Sequence, residues 1–158
     1  MGEMNDSGDR HFIGIDPGKS GAMAVIRPDG TVGMYPYIPS APLSYAGLFA
    51  GIECPRIVVE RLFARPGSMS SAKANFELGR CMGEIETMLS LLNLPFQEVT
   101  PQAWQKEFGI SGDKRTHVEC ARRLFPGVGL KRTQKCKVDF DGFADALLMA
   151  EYARRRLA

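Results

Sequence analysis

FIGIDPGKSGAMAVI, residues 12–26, decides how this chain folds. Two apolar, β-prone runs, Phe12–Asp16 and Ala22–Ile26, flank the turn Pro17-Gly18-Lys19-Ser20-Gly21, the pattern of two strands joined by a glycine-rich corner. A second tight turn, Pro28-Asp29-Gly30, leads into another run over residues 31–38, so the opening reads as a three-stranded antiparallel meander. Working outward, residues 43–52 suit a short helix, and RIVVE, residues 56–60, is a buried strand that ends in an acid. Over residues 70–92 the apolar positions Phe76, Met82, Ile85, Leu89 and Leu92 recur at three- and four-residue steps, as in a helix lying on a sheet. Gly79 and Gly83, one turn apart on it, read as points of close packing. Residues 96–99 form another strand, Pro101 opens a helix through Phe108, and residues 113–125 form a helix stopped by Pro126-Gly127. A loop over residues 127–137 precedes a last helix, residues 140–155, with Phe143, Ala144, Leu147, Leu148 and Tyr152 as its apolar stripe. The class is α/β: a mixed sheet, an antiparallel meander plus parallel strands, flanked by helices.

A chain of 158 residues with 44% hydrophobic content fits one compact domain. We place it over residues 11–158, with residues 1–10 as a polar, disordered tail. No run of about 18 apolar residues and no secretory leader is present, so a soluble, cytoplasmic protein is expected. Cys54, Cys81, Cys120 and Cys136 lack paired CxxC spacing and suit reduced thiols, and His11 and His117 are too few for a histidine-rich metal site. Net charge is only +2, but its distribution is uneven. From residue 114 to 137 Lys114, Arg115, Arg122, Arg123, Lys131, Arg132, Lys135 and Lys137 face a single acid, Glu119. That segment reads either as a solvated helix face with a basic loop or as a phosphate-binding surface. The acids described next favour nucleic acid.

Asp16 ends the run FIGID, Glu60 ends IVVE, and Asp141 and Asp145 open the amphipathic helix DGFADALLMA. A carboxylate at the end of a buried strand is costly unless a cation or strong donors meet it. Any one of these acids alone could be a cap or a satisfied turn. Asp141 and Asp145, four apart on a helix, project from nearly one face and repel unless a cation lies between them. Asp139 is an alternative ligand, or a residue that precedes or caps the helix. An all-oxygen set without His or Cys selects Mg²⁺, or Mn²⁺ in its place, over zinc.

The segments FIGIDPGKSGAMAVI, IVVERLFARPGSMSSAKANFELGRCMGEIE, EVTPQAWQKEFGI and DGFADALLMAEYARR, in this order, resemble the successive motifs of RuvC-type Holliday junction resolvases, particularly the compact bacteriophage ones, over residues 12–155. The resemblance implies a ribonuclease H-like fold, a homodimer, and Mg²⁺-dependent cleavage of four-way DNA junctions by two symmetric nicks, with two ions per active site. It matches Asp16 to the acid of the first strand, Glu60 to that of the fourth strand, and Asp145 to the acid of the final Ala-Asp-Ala-Leu. The chain departs from the pattern at one point. The best-known members carry the other helix acid three residues before the last, where this chain has Gly142, and Asp141 stands four before.

Lys114 is the first candidate for a helper cation at the scissile phosphate and Lys106 the second, each otherwise an exposed helix lysine. Phe63 follows Glu60 in a loop with Arg65, Pro66, Gly67 and Ser68, where the resemblance implies an aromatic inserted between base pairs; the other reading packs it in the core. The DNA-contacting set is Phe63, Arg65, Lys73, Lys106, Lys114, Arg115, Lys131, Arg132, Lys135 and Lys137. Trp104, in PQAW, reads as core. The long helix of residues 70–92 is expected at the dimer interface. Three other functions are weighed. Actin-like kinases and ATPases share an apolar strand, Asp and glycine turn, but need a second glycine-rich phosphate motif that this sequence does not show. A junction-binding module without catalysis, or a less selective nuclease of the same fold, would keep much of the same surface.

Overall fold

The computed structural model of the chain describes residues 10–38, 41, 43–63 and 71–158. Strands β1 (Phe12–Asp16), β2 (Ala22–Ile26) and β3 (Val32–Pro36) form the antiparallel meander. Strand β4 (Arg56–Glu60) then crosses over to pair parallel with β1, and β5 (Phe96–Val99) pairs parallel with β4. The sheet order is β3-β2-β1-β4-β5, as the alternation of elements implied. Helices α1 (Leu43–Ala46), α2 (Ala72–Leu91), α3 (Pro101–Phe108), α4 (Lys114–Leu124) and α5 (Asp141–Arg156) cover it. No helix among the described residues is long and apolar enough to cross a membrane.

The two-residue period of the strands sorts side chains between two cores. Ile13, Ile15, Ile57 and Val59 face Tyr37, Tyr45, Phe49 and the α2 residues Cys81, Ile85, Met88 and Leu89. Phe12 and Val58 face the other way, onto Trp104 of α3, Cys120 and Ala121 of α4, and α5. By the same parity Asp16 and Glu60 belong to the α5 face. α5 is buried almost all round from Gly142 to Ala153, which explains its alanine-rich sequence. It lies on β1 at Gly14, where an added Cβ would overlap the Ala146 carbonyl oxygen and the Ala150 nitrogen. Only glycine lets the helix axis come this close.

Three local expectations are corrected, and that for Asp139 narrows to a residue preceding the helix. The helix expected over residues 43–52 is one α turn followed by a 3₁₀ turn at Gly47–Phe49, ending at Gly51 with φ of 77°. On α2 the buried stripe runs through Cys81, Ile85, Met88 and Leu89, whereas Phe76 is 71% exposed and Leu92 is exposed as well. Among the described residues Gly79 and Gly83 are not packing points, since a Cβ at either meets none of them within 4 Å. Asp139 does not cap α5: Phe140 holds the N-cap position without a side-chain bond, and the Asp139 carboxylate pairs with the Arg122 guanidinium. The starts of α2, α3 and α4 carry side-chain caps, with Ser71, Thr100 and Asp113 accepting from Ala74, Ala103 and Arg115 backbone N–H groups.

Candidate active site

The parallel pairing of β1 with β4, which aligns Ile15 with Val59, carries their terminal acids Asp16 and Glu60 to the same level of the sheet. α5 starts over this end, so Asp145 arrives from above at 1% exposure, with Glu60 at 6% and Asp16 partly buried. Asp141, one turn earlier, keeps 46% of its side chain exposed. The β1–β2 turn closes against the same helix end. An added Cβ at Gly142 would overlap the Ser20 carbonyl oxygen, so that position has no room for an acid. This gives a steric reason why the second helix acid stands at 141.

The electrostatics mark these acids as short of countercharge. Burial holds the Asp16 carboxyl well above the ordinary carboxylate range, and the charges of Glu60 and Asp145 push it further. Burial also raises Glu60, with Asp145 adding to the rise while the hydrogen bond from Trp104 opposes it. Asp16 and Glu60 lie close enough to share a hydrogen bond when one of them is protonated. The cation among them is Lys114, from the first turn of α4. Its ammonium bonds Asp145 Oδ2 and stands 4.0 Å from Asp141 Oδ2. Burial alone would lower the lysine, but Asp145, Asp16 and Asp141 together hold it above its usual value.

Among the described residues no three His, Cys, Asp or Glu side chains converge closely enough, as they stand, to hold one ion. The donor set nevertheless fits a hard divalent cation in chemistry and charge. It is all oxygen, it carries four acids against one ammonium, and that ammonium already stands where a cation is needed. Ligation by Asp145 Oδ2 requires the Lys114 bond to give way.

Two residues of the site were not read from the sequence as functional. Trp104, fully buried as expected, donates its indole N–H to Glu60 Oε1 at 2.9 Å. His117, 1% exposed, contacts Asp145 Oδ1 through Nδ1 at 2.6 Å and the Ser111 carbonyl through Nε2 at 2.5 Å. Burial would lower the imidazole, but the bond to Asp145 and its charge win, so the ring titrates above its ordinary value. These partners lie 44 and 28 residues apart in the chain, so no local spacing announces them. The one available signal was a lone histidine on the buried face of α4, beside Cys120 and Ala121.

The remaining candidates among the described residues are surface residues. Phe63 is 57% exposed, with the Arg61 guanidinium 4.9 Å from its ring centre, which overturns the core reading of that ring. Lys73, Lys106, Arg115, Lys131, Lys135 and Lys137 are exposed, and Arg115 pairs with Asp113. Arg132 lies over the Phe140 ring at 5.4 Å. Of these cations only Lys114 reaches the carboxylates through a bond or ion pair described here. Arg65 and the loop around it lie outside the described residues. Beside the carboxylates a groove of about 480 Å³ runs between α4 and the chain before α5, lined by Lys114, Arg115, Arg122, Lys137, Asp139 and Asp141 among others.

No family model and no curated protein matches the sequence. Solved structures do match the fold. Thermus thermophilus RuvC in complex with a Holliday junction substrate is similar at a TM-score of 0.58 and 17% identity, over 93% of this chain and 96% of that one. A second Thermus thermophilus RuvC structure matches at 0.56 and 18%, over 92% and 96%. The yeast mitochondrial Holliday junction resolvase matches at 0.58 and 15%, over 94% of this chain and 78% of its own. The strand order, the crossing of α5 over β1 and these likenesses agree: the chain has the RuvC-like, ribonuclease H-like fold.

Proposed function

We propose that this protein is a divalent-metal-dependent endonuclease that resolves four-way DNA junctions by paired symmetric nicks. The observation that carries the reading is the meeting of two strand-end acids, Asp16 and Glu60, with Asp145 and Asp141 of α5, in a fold whose neighbours include a RuvC bound to a junction. Mg²⁺ held by these acids, two ions in the full arrangement, would activate a water for in-line attack and stabilise the departing 3′ oxygen, leaving 5′-phosphate ends. The protein's own part is positional and electrostatic. Burial raises both carboxyls, with Glu60 and Asp145 adding to the rise at Asp16 and Asp145 to that at Glu60, so positive charge brought to the site favours their ionised forms. Lys114, drawn off Asp145, is placed to meet a phosphate oxygen on which charge develops. Lys131, Lys135 and Lys137 supply phosphate contacts, and the exposed Phe63 ring a surface for stacking on splayed bases.

A two-fold dimer would set two such sites on opposite strands of a symmetric junction. Exposed Phe76 and Leu91 on α2 support that helix as the contact, as do Gly79 and Gly83, which meet no neighbour among the described residues. The test is cleavage of an end-labelled four-way junction beside a linear duplex of the same sequence. Paired nicks in the junction alone, present with Mg²⁺ and absent with EDTA, are expected. Equal cutting of both substrates would leave a nuclease without junction selectivity, and binding without cleavage would leave a junction-binding module.

A further inference from the structure

Beneath the carboxylates two aromatic rings make bonds that the proposed chemistry does not itself require. We infer that Trp104 and His117 form a positioning pair, each holding one oxygen of a metal-ligating carboxylate so that the other oxygen stays aimed at the cation. This rests on the metal-site reading above and extends it to α3 and α4.

An indole N–H only donates, and a buried one needs a partner. Trp104, with no exposed surface, gives its hydrogen to Glu60 Oε1 rather than to a backbone carbonyl. That choice takes up one oxygen of an acid that is itself buried and leaves Oε2 unclaimed by the ring. His117 is fixed more tightly still. The Ser111 carbonyl can only accept, so Nε2 carries its hydrogen and the ring cannot turn over without losing that bond. With Nε2 on the Ser111 carbonyl, Nδ1 faces Asp145 Oδ1, and Oδ2 is the oxygen the ring does not take up. Oδ2 is also the oxygen that Lys114 meets, so the bracing ring and the cation divide the carboxylate between them. The two rings pack edge to face, with centres 5.2 Å apart and planes at 74°, so movement of either disturbs the other. One acid stands on β4 and the other on α5, and the pair ties the two together from below. Outer partners that orient metal ligands in this way typically contribute about ten- to a hundredfold in metal affinity.

The test uses the whole 158-residue chain without DNA. Trp104→Phe keeps an aromatic ring, though a smaller one, and deletes the N–H; His117→Leu deletes both ring bonds; His117→Asn retains an amide near the position of Nδ1. Mn²⁺ binding is read by electron paramagnetic resonance or calorimetry, with circular dichroism and thermal melting alongside. Trp104→Phe and His117→Leu are expected to weaken Mn²⁺ binding by about ten- to a hundredfold. His117→Asn is expected to recover part of the loss, and the Trp104→Phe/His117→Leu double variant to lose less than the product of the single effects, because the rings act as a unit. The metal concentration that half-saturates cleavage should rise by the same factors. Variants that melt earlier yet bind Mn²⁺ as the wild type does would overturn the inference and leave the rings as core. Wild-type protein that binds no Mn²⁺ would remove the metal site itself, and the pair's role with it, an outcome told apart by the wild type alone.

Discussion

Helix α5 carries a buried acid cluster near each end, and the two are balanced differently. Near its C-terminus Glu151, 4% exposed, accepts from Arg154 at 2.7 Å and Arg155 at 2.9 Å, while Glu107 of α3 takes Arg156 at 2.5 Å. Three guanidiniums answer two carboxylates. Near the N-terminus Asp145, just as buried, gathers with Asp16, Glu60 and Asp141 around one ammonium and one imidazole. Burial of an acid is therefore a poor marker of function on this helix, and shortage of cations is the better one. The arginine-rich end ties α5 to α3, whereas the acid-rich end sets four acids against one lysine and one histidine.

The comparison breaks first on activity. Asp145→Asn is expected to cut junction cleavage by about a thousandfold or more, since the charge stabilisation it removes amounts to several kcal/mol. Glu151→Gln, measured in the same single-turnover assay, should leave the folded protein's rate unchanged. Gly142→Ala comes next, because its Cβ overlaps the Ser20 backbone carbonyl, and neither α5 nor the β1–β2 turn can shift without moving the site. A loss of about 1–3 kcal/mol by urea unfolding is expected, the usual cost of overpacking.

Opposite signs of stability separate the two clusters further. Glu151→Gln removes the partner of two guanidiniums and should cost about 1 kcal/mol, at the low end for a charged hydrogen bond because Arg154 and Arg155 remain 47% and 37% exposed. Asp16→Asn should instead raise the melting midpoint in EDTA, each kcal/mol moving it by about 2–4 °C. The pH dependence follows from the direction of the Asp16 shift. A carboxyl whose folded pKa is raised contributes stability below its unfolded value, near pH 4, and loses it as pH rises through the folded value. The advantage of Asp16→Asn over the wild type in EDTA should therefore vanish near pH 4 and be full at high pH.

How much of this was legible in the sequence varies by level. β1, β2, β4, β5 and α3 match the elements read from alternation, glycine turns and the proline start. The four acids were legible because each breaks a hydrophobic pattern at an element's end. The face of α2 was misread at Phe76 and Leu92, since periodicity shows that a stripe exists and not which apolar residues fall outside it. The bonds of Trp104 to Glu60 and His117 to Asp145 could not be read at all. They depend on α3 and α4 docking under α5, a tertiary event with no trace in residue spacing. Gly142 was visible as a departure from the resembled pattern, but its cause, the Ser20 carbonyl, belongs to the packed turn.

The measurement that bears most directly on the acid-rich end as a metal site is the shift in melting midpoint produced by Mg²⁺ at neutral pH. A ligand that binds only the folded state stabilises it in proportion to the logarithm of its saturation. Wild type and Glu151→Gln should rise by the same amount as Mg²⁺ is added, while Asp16→Asn stays where it is. A wild type that Mg²⁺ leaves unmoved, or an Asp16→Asn variant that rises with it equally, would contradict the account.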